Sequence, residues 1–197
     1  MSNESLQSSP VLQPPGAGLP PLELRAARAL FRWRQWRTSR SEVAVLFEEE
    51  KGKILQLAAR EDAESGRQQV LIHRLRGLED SSRFWSVFMT LDHLCIVNLG
   101  TTDTIARLAR DESPTRVAST AAVKPSASAD QTTIDRFVTV CNTFERTVDA
   151  IHDLRSRKTW DHPWFGPLNA AGWHFLTAFH MGLHRRQIEA IQRVKRG

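Results

Sequence analysis

His180 and His184 stand four residues apart in His180-Met181-Gly182-Leu183-His184, and that spacing is the chain's clearest offer of chemistry. In a helix, residues four apart share a face, with Cβ atoms roughly 5–6 Å apart. Two imidazoles on such a face can meet one divalent ion at about 2.0–2.1 Å each. Gln187 follows His180 by seven positions and points the same way, so it is a candidate to support the ligands or touch a bound molecule. A third ligand must come from a facing element. His93, in the apolar run Leu91-Asp92-His93-Leu94-Cys95, is the candidate. A histidine buried there needs a polar partner, because an unpaired polar group costs several kcal/mol on burial. The partner is either a hydrogen-bonding group of the core or a shared metal ion.

Three neutral ligands would leave the ion's charge uncompensated and coordination positions open, which is the catalytic rather than the closed structural type of site. Such an ion lowers the pKa of a bound water or thiol, so hydrolysis and thiol transfer both fit the same ligands. Hydrolysis also asks for a nearby carboxylate base. Asp92 is turned about 100° from His93 on a helix and Glu189 is likewise offset, so neither is a convincing base. Asn98 and Gln187 are neutral candidates for orienting a ligand. His174 falls on another face from His180, His73 and His152 read as surface residues, and Cys95 and Cys141 fit apolar stripes as core residues.

The elements that must position these groups read as helices. Helical spacing predicts a first helix from about Leu22 to Arg37, with Leu22, Ala26, Ala29, Trp33 and Trp36 on one stripe. Ser39-Arg40-Ser41-Glu42 is a capping-box pattern opening a second helix to about Glu64, with Val43, Phe47, Ile54, Leu57 and Ala58 inward. Residues 65–80 read as loop, Val70-Leu71-Ile72 being a strand too short to found a sheet. A third helix, capped by Ser81 or Ser82, is expected from Arg83 to about Arg110, apolar on most sides and therefore central. Residues 111–130 read as a long crossover. A fourth helix is expected from Gln131 to Arg157 and a last one from Leu168 to Val194. The aromatic stretch between them, with Trp160, His162, Trp164 and Phe165, is either a lip over the site or an apolar plug. The expectation is an all-α four-helix bundle at 39–197, an added basic helix at 21–38 and a disordered Pro-rich tail at 1–20.

The 197 residues suffice for one domain with one core, and no stretch is long and apolar enough to span a membrane. The N-terminus does not read as a signal peptide, and the two cysteines imply no disulfide framework, so a cytoplasmic setting is expected. The net charge is +5. Six arginines fall between Arg25 and Arg40 while the rest is mixed in sign, which argues against a polyanion binder throughout. The basic helix could meet nucleic acid, anionic lipid or an acidic partner, or pack its aromatics on a second copy in a homodimer. The simpler reading is a solvated face on a helix docked through Trp33 and Trp36.

The segments FWSVFMTLDHLCIVN and HPWFGPLNAAGWHFLTAFHMGLHRRQIEAI resemble the DinB/YfiT-like superfamily of four-helix-bundle proteins, over roughly residues 39–192. The resemblance implies an up-down-down-up bundle with a long crossover. It also implies a nickel, zinc or related ion held by His93, His180 and His184. Members include bacillithiol transferases, mycothiol-dependent isomerases and proteins described as metal-dependent hydrolases. The implied partners are therefore a small-molecule substrate and a low-molecular-weight thiol. The Pro-rich and Arg-rich N-terminus has no place in that pattern.

Overall fold

The computed structural model describes residues 10–115 and 118–197. Helices dominate it: α1 (Pro21–Arg37), α2 (Arg40–Ala58), α3 (Val87–Ala109), α4 (Thr132–Asp149) and α5 (Ala170–Arg196). Helix α3 packs against α4 and α5, and α5 also packs against α2, so α3 and α5 form the centre of a four-helix bundle. The α3 sequence is buried on most sides, from Val87 to Leu108, as its near-continuous apolar character requires. Phe137, Val140, Cys141, Phe144 and Val148 give α4 its buried stripe, and Val43, Phe47, Ile54 and Ala58 do the same for α2. Partly buried ion pairs tie the layers: Lys51 to Glu145 at 2.9 Å between α2 and α4, and Arg185 to Glu50 at 2.5 Å between α5 and α2.

Helix ends follow local chemistry. The Ser39–Glu42 capping box is formed in both directions and starts α2. That helix ends at Ala58 rather than near Glu64. The expected start of α3 at Arg83 is also too early. Phe84–Trp85 forms a strand, β2, antiparallel to β1 (Val70–Leu71), and the Ser86 hydroxyl then accepts from Met89 N–H to begin the helix. A β-favouring aromatic pair followed by a serine cap thus shifts the helix start past Ser81 and Ser82. Helix α4 stops at Asp149, not Arg157. The aromatic segment after it is a hairpin of β3 (Trp160–His162) and β4 (Gly166–Leu168), turning through Gly166 at φ +73°. Asn169 then caps α5 by accepting from Gly172 N–H at 2.9 Å.

The docking face of α1 is not the expected one. Trp33 and Trp36 are 56% and 82% exposed, while Phe31 is wholly buried. Phe31 stacks on Phe165 of the hairpin at 4.2 Å and meets Phe175 and Phe179 of α5 edge-on. A single ring of the right shape in an aromatic socket outweighs the larger number of apolar residues on the opposite stripe. Part of the segment expected to be disordered, residues 10–20, is held: Gly16 and Gly18 N–H donate to Glu79, Gln13 N–H to Asp80, and Leu19 is buried. Residues 1–9 lie outside the described residues.

Candidate metal centre

Three imidazoles meet where α3 and α5 cross in the bundle core. His93 comes from α3, and His180 and His184 come from successive turns of α5. Their Nε2 atoms face one another, His180 lying 3.2 Å from His93 and 3.0 Å from His184. The three ligand atoms all fall within 4.8 Å of each other. Two nitrogens on one tetrahedral ion at about 2.0–2.1 Å stand about 3.3 Å apart, so a shift of a few tenths of an ångström suits this set to an ion.

The outer nitrogens decide what the inner ones can do. His93 Nδ1–H donates to the Val123 carbonyl at 2.6 Å. His184 Nδ1–H donates to Gln187 Oε1 at 2.7 Å, and the Gln187 amide is oriented by its own donation to Ser82 O at 2.7 Å. With Nδ1 protonated on both rings, both Nε2 atoms are bare lone pairs. Both aim at His180 Nε2, which can carry only one hydrogen, while His180 Nδ1 is buried with no partner among the described residues. One proton serves two lone pairs poorly; a divalent cation accepts all three nitrogens. Acceptors behind ligating histidines are the usual device for fixing their tautomer.

Burial reinforces this. It pushes His93 down to about 4 and holds His180 and His184 well below the ordinary histidine range. Mutual repulsion within the cluster adds to burial for His180 and His184. All three rings are therefore neutral near pH 7, the form a metal requires.

The surround is aromatic and cationic. Trp85, placed by the β1–β2 ribbon, packs 5.1 Å from His93 and lies nearly parallel to His184 at 6.1 Å. Lys124, from the α3–α4 crossover, sits 5.2 Å over the Trp85 ring and donates to Ser81 Oγ at 2.7 Å. Neither carboxylate nearest the ligands in sequence faces them. Asp92 accepts from Ser126 N–H and pairs with Arg136, pinning the crossover and α4 to α3. Glu189 pairs with Arg185. Asn98 is fully buried, its amide against Met181 Sδ and Cys141 Sγ at 3.5 and 3.8 Å, and none of its polar contacts is to the three rings. Both cysteines are buried and burial pushes both thiols up, so neither is an activated nucleophile. His174 is buried beside Phe144, apart from the cluster, and His73 and His152 are exposed. The hairpin serves both expected roles: Phe165 packs on Phe31 as part of an apolar plug, and His162 lies close enough to the cluster to depress His180 further.

Sequence reasoning missed Val123, Ser82, Trp85 and Lys124. Backbone carbonyls leave no mark in residue types. Trp85 falls in a segment whose apolar pattern reads as helix, and Lys124 lies in a crossover without periodicity.

The fold and the cluster define a four-helix bundle with a three-histidine site able to hold a metal ion. No family profile matches the chain, and no characterised protein does. Among solved structures it is similar to TT2238, a four-helix bundle protein, at 19% identity with a TM-score of 0.57, over 77% of this chain and 99% of that one. That likeness speaks for the fold alone. No helix among the described residues is long and apolar enough to cross a membrane.

Proposed function

We propose that this protein is a divalent-metal protein of the DinB/YfiT-like kind, with His93, His180 and His184 as ligands and an open position for a small molecule. The observation that carries the reading is the convergence of three buried, neutral imidazoles, two of them with their tautomer fixed by acceptors behind the ring. A bound ion would supply Lewis acidity that makes a coordinated thiol or water a nucleophile at neutral pH. The chain's own residues do the rest. Val123 and Gln187 hold the ligand rings in register. Trp85 covers the His93–His184 side and keeps water from it. Lys124 brings positive charge close enough to lower both His93 and His184 further, and so favours an anionic molecule.

Within this reading, thiol transfer is favoured over hydrolysis. Asp92 and Glu189 are each committed to an arginine, and Glu79, the carboxylate whose charge reaches His93, is occupied by the Gly16 and Gly18 N–H groups, Ser81 and Lys124, which disfavours each of them as base. A metal-activated thiol from a low-molecular-weight cofactor needs none. Nickel and zinc both suit imidazole ligands.

Metal analysis of the purified protein beside its His184→Ala variant tests the site. About one equivalent of metal is expected in the wild type and none in the variant. A saturating ion should raise the melting temperature of the wild type by roughly 5–10 °C at a hundredfold excess over its dissociation constant. Absence of stoichiometric metal, together with no thermal gain from Ni²⁺ or Zn²⁺, would remove the reading.

A further inference from the structure

Helix α1 carries two apolar faces, and only one is used. At about 100° per residue, Leu24, Ala27 and Phe31 form the inner face. Leu22, Ala26, Ala29, Trp33 and Trp36 fall within about 40° of one another's centre line on the opposite side, facing solvent. Among the described residues, nine large hydrophobics are exposed, and Leu22, Trp33 and Trp36 of this one stripe make up three of them, with Leu30 about 80° to its side. The outer stripe is therefore a concentrated feature rather than scattered surface apolarity.

Arginines frame that stripe on both edges. Arg25 and Arg32 lie about 60–80° to one side of it and Arg37 about 60° to the other, with Arg28 and Arg34 about 120° away on either side. All five are exposed and none forms an ion pair among the described residues; Arg28 donates to the Trp164 carbonyl and Arg37 lies over the Trp33 ring at 5.7 Å, which leaves the side chains of Arg25, Arg32 and Arg34 without a contact of this kind. The helix's one acid, Glu23, is engaged with Arg74 on the bundle. Five arginines against one glutamate leave α1 with a formal charge of +4 over its length.

We propose that the outer face of α1 docks on an anionic lipid surface, with the helix axis in the plane of the membrane. A central strip of Trp, Leu and Ala can enter the interfacial layer, while arginines on both flanks reach phosphate and carboxylate headgroups. Tryptophan is the side chain suited to that boundary. Charge decides against a second copy as occupant, since two faces of this kind would bring +4 against +4. Arrangement decides against nucleic acid, whose backbone calls for cations at the centre of contact rather than at its margins. The Phe31 socket presents the helix already folded, so docking carries no folding cost.

The test is sedimentation of the full chain with vesicles of phosphatidylcholine alone or with about 30% phosphatidylserine, at low and high salt. Binding is expected only to the anionic vesicles, weakening as salt rises. The Trp33→Ser/Trp36→Ser double variant changes exposed residues, so its melting temperature should match wild type while binding falls at least about tenfold. Each of Arg25→Gln, Arg32→Gln and Arg37→Gln should cost about fivefold. Brominated lipid should quench fluorescence in the wild type and much less in the double variant. Three results would overturn the proposal. One is equal failure to bind both vesicle types. Another is anionic binding untouched by the Trp substitutions. The third is a concentration-dependent dimer that those substitutions abolish.

Discussion

Replacing Gln187 by leucine removes one acceptor and one donor behind the candidate metal centre without touching His93, His180 or His184. Gln187 is fully buried and bridges two groups, accepting from His184 Nδ1–H and donating to Ser82 O, both at 2.7 Å. In Gln187→Leu, His184 keeps its nitrogen but loses the contact that fixes which nitrogen faces the cluster. Supporting partners of this kind are worth about 10–100-fold in metal affinity. The variant should therefore bind Co²⁺ about 1.4–2.8 kcal/mol more weakly. The two orphaned groups cost stability as well, about 1–3 kcal/mol each before any gain from the leucine. Gln187→Glu separates the effects. It keeps an acceptor for His184 but loses the donor to Ser82, so affinity should recover relative to leucine while stability does not. The assay is titration of Co²⁺ followed by its visible absorption, with chelator competition for the tight wild type and urea unfolding of each metal-free protein. Unchanged Co²⁺ affinity in a folded Gln187→Leu protein would refute the argument that tautomer control through Gln187 prepares His184.

Two further outcomes follow from burial. Desolvation lowers His162 and His174 to about 4 from an ordinary 6.5, so between those values the unfolded chain takes up protons that the folded one refuses. The metal-free protein should accordingly be most stable above pH 6.5 and lose stability as pH falls toward 4, by about 3 kcal/mol for the nearly inaccessible His174 alone. Urea midpoints at pH 4.5, 5.5, 6.5 and 7.5 measure this, and His174→Phe should flatten the slope. Gly66 packs under the ring of the fully buried Phe88, where a Cβ would lie 2.1 Å from Cζ. Gly66→Ala should lower stability by about 1–3 kcal/mol, read from thermal melts.

Local signals in this chain resolve well wherever one residue type has one good solution. The Ser39–Glu42 box and the 3.6-residue stripes of α2 and α4 are of that kind, and so is the pair His180/His184 on one helical face. His93 could be singled out because a histidine in an apolar run needs a partner. Element ends were less legible. Phe84 and Trp85 join a two-residue ribbon because Val70 and Leu71 lie alongside, a contact that helix propensity does not record. The same limit applied to α1, whose outer stripe of Leu22, Ala26, Ala29, Trp33 and Trp36 is the richer in sequence but is the one left in solvent. Only the socket of Phe165, Phe175 and Phe179 selects Phe31 over Trp33 and Trp36.

From residue types and spacing alone came the helical class, the candidate ligand pair His180/His184, the candidate third ligand His93 and the basic character of the first helix, because each depends on neighbours within a turn or two. Folding in three dimensions decided that His93 faces the pair and that Val123 and Gln187 set the tautomers. It also committed Asp92 to Arg136 and left the tryptophans of α1 in solvent. These outcomes depend on groups far apart in the chain, whose meeting is set by how whole helices pack.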